Sequence, residues 1–193
     1  MYRLCKTEQS ARRQRLLEEG LMTAMHSMRY EDISISDLCQ QMNIPRKSFY
    51  RYFSSKEGAL HGLIDHTLME YEGFGESYGS GEPRSLQRDL ERFFLFWVRH
   101  RSVLDALSRS GLQSVLTDRA ISYATSDMAF PGRFLPGETR EMQNHVIIFG
   151  VCGLMTMMLQ WHSNGCRESV QDMAKVAVRL LTQPLFPVSE RLL

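Results

Sequence analysis

The sequence predicts an all-α protein in which a small three-helix head precedes a larger helical body. Three observations lead to this fold class. Apolar residues recur at spacings of three and four along most of the 193 residues, which is the period of amphipathic helices. No alternating pattern of convincing length indicates a β-strand. Residues 33–60 read as two short helices joined by a tight turn, followed by the start of a third helix.

The first element is a helix from about Thr7 to Met28. Leu17, Leu21 and Ala24 follow one another at spacings of four and three, so they lie on one face of this helix. Charged residues occupy its other faces. We expect this helix to cover the back of the two short helices that follow.

The turn between the two short helices is predicted by its local chemistry. Ser34 is a good N-cap, and Asp37 three residues later completes a capping pattern. Asn43 stands where the chain must turn, and asparagine tolerates the left-handed conformation that ends many helices. Pro45 begins the next helix, where its missing N–H is not needed. This pattern is a helix-turn-helix, the unit that places its second helix in the major groove of DNA.

The second short helix sorts its side chains onto two faces. At about 100° per residue, one side is apolar and holds Pro45, Phe49, Tyr52 and Phe53. The opposite side holds Lys47, Tyr50 and Arg51, with Arg46 on the flank. Cations and a tyrosine hydroxyl are groups that bind phosphates and base edges. A solvated charged face on an ordinary helix is the alternative, but the cap, the turn and the order of elements favour a DNA-reading helix.

Glycines separate the head from the body. We predict a helix-turn-helix domain over 1–54, a connecting helix over 55–72, a Gly-rich linker over 73–83 and a helical domain over 84–193. In the body we expect helices over about 85–101, 102–109, 112–128, 138–164 and 168–182. The fourth of these is apolar on nearly all sides, so other helices must cover it.

Composition and charge are those of an ordinary soluble globular protein, with 43% hydrophobic and 23% charged residues. Residues 1–60 hold ten Lys/Arg against seven Asp/Glu, whereas the remainder holds 13 against 15. The head is therefore slightly basic and the body slightly acidic. The apolar stretch 146–159 contains two glycines and a threonine and is too short to span a bilayer, and no apolar signal segment opens the chain. We expect a cytoplasmic protein with no membrane partner.

Cysteine, histidine and glycine spacings indicate neither a metal site nor a cofactor. Cys5, Cys39, Cys152 and Cys166 form no C-x-x-C pair, so free thiols are expected and a thiol-sensing role stays open. The sequence contains no H-E-x-x-H, G-x-S-x-G or phosphate-binding loop. We expect no cofactor, no metal and no enzymatic activity.

Residues 49–60, FYRYFSSKEGAL, resemble the signature of the TetR/AcrR family of transcriptional regulators. In that signature the recognition helix ends in Tyr-x-x-Phe and a following Lys opens the next helix, and the resemblance covers about residues 7–72. It implies a homodimer on a near-palindromic operator of double-stranded DNA. Together with the helix faces, it indicates the DNA-binding residues Ser34, Arg46, Lys47, Ser48, Tyr50, Arg51, Tyr52 and Lys56.

A weaker resemblance lies in the body, where residues 150–165 read GVCGLMTMMLQWHSNG. In the TetR family the last two long helices of each subunit form a four-helix dimer interface, and the body is the regulatory and dimerisation domain. The interface residues indicated by this resemblance are Val151, Leu154, Met158, Trp161, Met173, Ala177, Val178 and Leu181. A monomer with a well-filled core is the alternative.

The family resemblance also implies an effector cavity in the body, and the composition of the body suits an apolar one. Aromatic residues are dense there, and methionine, with 12 residues in the chain, adapts to varied partners. The candidate lining residues are Phe93, Phe96, Trp97, His100, Tyr123, Met128, Phe130, Phe134, His145, Phe149 and Met155. Simple core packing is the alternative, and the identity of an effector is not readable.

The hypothesis is a sequence-specific DNA-binding transcriptional regulator, a repressor released by a small apolar effector. One alternative is a TetR-fold DNA-binding protein controlled by a protein partner, as a co-activator or a division factor; a filled body and an exposed apolar patch would favour it. The other is a small helical enzyme, which a perturbed titratable pair in a cleft would favour.

Overall fold

The computed structural model describes Tyr2, Cys5 and residues 7–77, 85–126 and 138–183. Within these residues the α-helices are α1 Glu8–Ser27, α2 Ile35–Gln41, α3 Arg46–Tyr52, α4 Lys56–Ser77, α5 Leu86–Arg99, α6 Arg101–Arg109, α7 Gln113–Ala124, α8 Arg140–Ser163 and α9 Val170–Thr182. A 3-10 turn at Tyr30–Asp32 lies between α1 and α2. The predicted all-α fold class is confirmed. Among the described residues, extended backbone pairs only at one isolated bridge between Tyr2 and Phe53.

The head is built by α1 lying across the two short helices. Leu21 and Met25 of α1 are fully buried, as are Phe49 and Phe53 of the α3 region. The close approach depends on Gly20, because a Cβ atom there would stand 2.2 Å from the Met42 Sδ atom at the end of α2. Helix α1 therefore covers the back of the helix-turn-helix, as its periodicity predicts.

Helix α4 is held on two sides by polar pairs, each of which includes a buried carboxylate. His66 Nδ1 lies 2.9 and 2.8 Å from the two carboxylate oxygens of Glu18 on α1, and Glu18 is only 1% exposed. Burial raises the pKa of Glu18, and the hydrogen bond with His66 opposes that shift. On α7, Arg119 Nε donates to Asp65 Oδ1 over 2.7 Å. These pairs join helices, so α4 is fixed to the head and to the body at once.

The predicted boundary between connecting helix and linker is too early. Helix α4 continues to Ser77, so the first five residues of the expected linker are helical. A glycine only weakens a helix, by about 1 kcal/mol relative to alanine, and Gly73 alone does not end this one. Residues 78–83 of the expected linker lie outside the described residues.

The core of the body forms where α5 packs against α9 and α7 packs against α8. The Phe94 ring meets the Trp161 ring edge to face, with centroids 5.5 Å apart. Phe96 and Trp97 are also buried. The head touches the body directly as well, since α1 packs on α6 and the Tyr30 amide donates to Ser110 Oγ over 2.9 Å.

Helix α8 is longer than its apolar stretch suggests. By length and composition this 24-residue helix could cross a membrane, so the expected limit on length applies to the stretch 146–159 and not to the whole helix. One helix of this kind is weak support for a membrane span. In the described structure only 17% of its most apolar window is buried, and the buried part includes Met155, Met158 and Trp161 near its C-terminal end.

Candidate nucleic-acid interface

The turn of the helix-turn-helix has the geometry that its residues predict. The Asp37 amide donates to Ser34 Oγ over 3.0 Å, and Ser34 Oγ donates to Asp37 Oδ2 over 2.6 Å. Asn43 has a φ of +52°, the left-handed conformation expected at the end of α2. Pro45 stands at the N-cap of α3 with a φ of −65°. Local side-chain chemistry therefore sets the angle at which α3 leaves the turn.

Helix α3 buries one face and exposes the other. Phe49 is fully buried, whereas Arg46, Lys47, Tyr50 and Arg51 are exposed. The Arg46 guanidinium lies 6.0 Å from the centroid of the Tyr50 ring, and its Nη2 donates to Tyr50 Oη over 3.4 Å. Within the described part of the chain, Lys47 and Arg51 take part in no ion pair. Their charges are free to meet an anion.

Three of the predicted DNA-binding residues lie outside this exposed face or at its edge. Tyr52 is 5% exposed because it packs into the head core beneath α1, so its assignment to the DNA-binding surface is wrong. Ser48 is half-buried at the edge of the face. Ser34 is exposed at the start of α2, where its hydroxyl is already used as the cap.

Lys56 has a role inside the head that sequence reasoning missed. Its Nζ donates to the carbonyl oxygens of Tyr30, Glu31 and Ile33 over 2.6, 3.2 and 2.7 Å. The same atom lies 4.3 Å from the centroid of the Tyr30 ring. Burial lowers the pKa of Lys56. The ammonium therefore clamps the segment before α2 onto α4, and its assignment as a residue that faces DNA is corrected.

A second polar cluster joins α1, α4 and α5. Arg15 Nη1 lies 2.9 Å from Glu70 Oε1, and His100 Nε2 lies 3.2 Å from Glu70 Oε2. His100 also stacks on the Phe96 ring, and its Nδ1 lies 2.9 Å from the Phe96 carbonyl oxygen. The hydrogen bond with Glu70 raises the pKa of His100, and the same bond lowers the pKa of Glu70. His100, predicted to line an effector cavity, is engaged in this bridge.

This bridge predicts a pH-dependent contribution to stability. Because the pKa of His100 is raised on folding, its contribution is complete below the unfolded value of 6.5 and is lost as the pH rises through the folded value. The contribution of Glu70 is present above 4.5 and is lost as the pH falls through its lowered pKa. Both side chains are partly exposed, so solvent screening keeps the effect small. Between about pH 6 and about pH 9, wild type should lose roughly 0.5 kcal/mol more stability than His100→Gln in urea unfolding. Equal losses would contradict the bridge.

The predicted effector residues do not gather around one described cavity. Phe96, Trp97 and Met155 are buried, Phe93 and Tyr123 are half-buried, His145 and Phe149 are exposed on α8, and Met128, Phe130 and Phe134 lie outside the described residues. Phe149 is 69% exposed, so its placement in an enclosed pocket, like that of His145, is wrong for a single subunit. A void of about 60 Å³ between Trp97 and Trp161 is too small for an effector.

Some of the predicted dimer-interface residues are buried within one subunit, and others are partly or fully exposed. Met158, Trp161, Met173 and Ala177 are buried within one subunit, so they belong to its own core. Val151, Leu154 and Val178 are half-buried, and Leu181 is exposed. We call the exposed apolar residues of the last two helices the outer apolar face; they are Met142, Val146, Ile148, Phe149, Val176, Leu180 and Leu181. The sequence shows only that α8 is apolar on all sides, which does not say which side faces out.

Comparison with known proteins adds two curated relatives, while no protein-family profile matches the chain. The chain is 33% identical to the HTH-type transcriptional regulator EthR of Mycolicibacterium smegmatis over 106 residues, which are 53% of this chain and 43% of that protein. It is 32% identical to DhaS, an HTH-type dhaKLM operon transcriptional activator of Lactococcus lactis, over 57 residues, which are 30% of each. The chain thus spans less than half the length of these relatives.

Solved structures match almost the whole chain. A TetR-like regulator from Rhodococcus has a TM-score of 0.53 at 18% identity, covering 94% of this chain and 100% of the other. A tetR-family regulator from Streptomyces coelicolor has a TM-score of 0.53 at 18% identity, covering 88% and 78%. The chain has the TetR fold. The predicted resemblance to TetR/AcrR regulators is confirmed. FadR from Bacillus subtilis, solved with stearoyl-CoA, shares this TetR fold with a TM-score of 0.53 at 13% identity, covering 88% and 98%.

Proposed function

We propose that this protein is a sequence-specific transcriptional repressor that binds a near-palindromic operator as a homodimer. The observation that carries the proposal is the exposed face of α3, where Lys47, Arg51 and the Tyr50 hydroxyl lie opposite the buried Phe49, the two cations without an ion pair among the described residues. Such a face suits a helix that enters the major groove. We also propose that the protein acts in the cytoplasm, where a repressor would meet its operator.

Homodimer formation is supported by the outer apolar face. Helices α8 and α9 each leave large apolar side chains in water, and contiguous patches of this kind mark interaction surfaces. A two-fold axis through this face would pair two heads for two half-sites of one operator. A protein partner on the same face would instead favour a regulator without a small effector.

The proposed effector is a small apolar molecule bound in the body, which would have to open to admit it because the void between Trp97 and Trp161 is too small. Support comes from the shared fold with FadR of Bacillus subtilis, whose structure holds stearoyl-CoA, and from the aromatic residues of α5. An effector changes DNA affinity only through its different affinity for the two states of the protein. Helix α4, fixed to α1 by Glu18–His66 and to α7 by Asp65–Arg119, is the element through which a change in the body would move the head.

Replacing Lys47 by alanine should weaken operator binding by roughly 1–3 kcal/mol, because one free cation of the groove-facing surface is lost. If Lys47 meets a phosphate, the slope of log affinity against log salt should also fall by about one. Tyr50→Phe removes a hydroxyl from the same face and should weaken binding without unfolding α3. Genome-wide mapping of bound DNA identifies the operator. Fluorescence anisotropy with that operator then measures both effects.

A matched control is Lys175→Ala on α9, which removes the same charge far from α3. It should leave operator affinity and its salt slope unchanged. If Lys47→Ala and Lys175→Ala behaved alike in folded protein, the exposed face of α3 would not be the DNA-binding surface.

A further inference from the structure

An open crevice of about 610 Å³ lies on the surface of the head, between α1 and the α2–α3 unit, away from the body. We call it the head crevice; its lining residues are Arg13, Leu16, Leu17, Met42, Ile44, Ser48, Arg51 and Tyr52. Its volume falls within the range of about 300–1,000 Å³ that small-molecule sites occupy. Neither the helix-turn-helix geometry nor the proposed effector site accounts for it.

The lining combines an apolar floor with a cationic rim. Leu17 is buried, Met42 and Ile44 are half-buried, and Leu16 stays 54% exposed. Met42 packs directly against α1 because residue 20 is a glycine and has no Cβ atom in the way. An exposed leucine beside an apolar floor is a surface that gains free energy when an apolar ligand covers it.

The rim of the crevice carries two exposed cations. Arg13 on α1 and Arg51 on α3 are exposed, and within the described residues neither takes part in an ion pair. In contrast, the neighbouring Arg12 pairs with Glu8 and does not line the crevice. Guanidinium groups bind carboxylates with two parallel hydrogen bonds, and Ser48 adds a hydroxyl donor on the same rim.

We propose that the head crevice binds an amphipathic organic anion, a carboxylate that carries an apolar chain, and that such a ligand competes with DNA. The carboxylate lies between Arg13 and Arg51, and the chain covers Leu16, Leu17 and Met42. Competition rests on the proposed function, because Arg51 and Ser48 also belong to the predicted DNA-binding surface. One anion cannot share Arg51 with a phosphate of the operator.

Decanoate is the probe, and the Met42 methyl group reports on the crevice. In protein labelled with ¹³C at the methionine methyls, decanoate should shift the Met42 signal saturably, while Met155 in the body serves as an internal reference. Decyltrimethylammonium, with the same chain and the opposite charge, should leave Met42 unmoved. A Met42 signal that does not respond to decanoate, or responds equally to both probes, would overturn the proposal.

Matched variants separate the site from overall charge. Arg13→Glu should weaken decanoate binding at Met42 by about tenfold or more, since a charged hydrogen bond is replaced by repulsion. Arg12→Glu makes the same change of charge one residue away and should keep affinity within about twofold of wild type. Leu16→Trp fills the crevice from an exposed position and should block decanoate with the charge intact. Equal effects of the two arginine variants would refute the site.

Competition with DNA is tested separately. Decanoate should raise the apparent Kd for operator in wild type and in Arg12→Glu, but not in Leu16→Trp. If decanoate shifted Met42 without changing operator affinity, the competitive part of the proposal would be wrong. If the protein bound no operator at all, the proposed function would fail, and the Met42 titration would still decide whether the head crevice binds an anion.

Discussion

Replacing Lys56 by alanine should lower the free energy of unfolding by roughly 2–3 kcal/mol, because three carbonyl oxygens lose their common charged donor. Its Nζ donates to Tyr30, Glu31 and Ile33 and also lies over the Tyr30 ring. A charged hydrogen bond contributes about 1.5–3 kcal/mol, and the cation–π contact adds about 0.5–1 kcal/mol. In the variant, water can hydrogen-bond to some of these carbonyl oxygens. The expected loss of stability is therefore smaller than the sum of the separate contributions.

Urea unfolding followed by circular dichroism measures this loss, with Lys47→Ala as the matched control. Lys47 is exposed on α3, so its removal changes the net charge equally but should change stability by less than about 0.5 kcal/mol. Lys56→Ala should also speed amide hydrogen exchange around residues 30–35, because the segment before α2 is no longer tied to α4. Equal stability of the two variants would show that the clamp contributes nothing.

The role of Lys56 shows where sequence reasoning stops. Its position at the start of α4 follows from the motif, and so does the prediction that it faces DNA. The contacts that decide its role come from a turn more than twenty residues earlier in the chain. Only the packing of α1 against α4, through Glu18 and His66, brings that turn over the lysine. A local sequence pattern cannot predict contacts between residues so far apart in the chain.

The turn of the head was predictable because its causes are local. Ser34 caps α2 with its own hydroxyl, Asn43 adopts the left-handed conformation and Pro45 fixes the φ before α3. Each effect acts within three residues of the side chain that produces it. The fold class and the helix-turn-helix therefore follow from the sequence.

The body was predicted only as helices, because apolar residues there do not distinguish inside from outside. Helix α8 is apolar on every side, and the structure buries Met158 and Trp161 while it exposes Val146 and Phe149. Both sets are apolar. Which side of α8 is buried depends on how α7 and α6 pack against it, which is a non-local fact. The same reason explains why four predicted interface residues belong to the core of one subunit.

The outer apolar face leads to the last prediction, which concerns assembly. Val176 is 49% exposed on α9, so a glutamate there costs a single subunit little, whereas Val178 is half-buried and a less selective site. In the proposed homodimer the same glutamate would be buried without a partner against an apolar surface. Leaving one buried charge without a partner destabilises an interface by about 3–5 kcal/mol. Val176→Glu should therefore convert a dimer of about twice the 22.4 kDa chain mass into a monomer at micromolar concentration.

The matched control is Gln171→Glu, which adds one negative charge to the polar side of the same helix. It should stay dimeric in sedimentation velocity. Operator affinity should fall by roughly a hundredfold or more in Val176→Glu only, since separate heads lose the effective concentration that joins two half-sites. Phe149→Glu on α8 should also weaken the dimer, because Phe149 is an exposed residue of the outer apolar face. A wild-type monomer that binds operator tightly would contradict the assignment, and so would a dimer that Val176→Glu and Phe149→Glu leave intact.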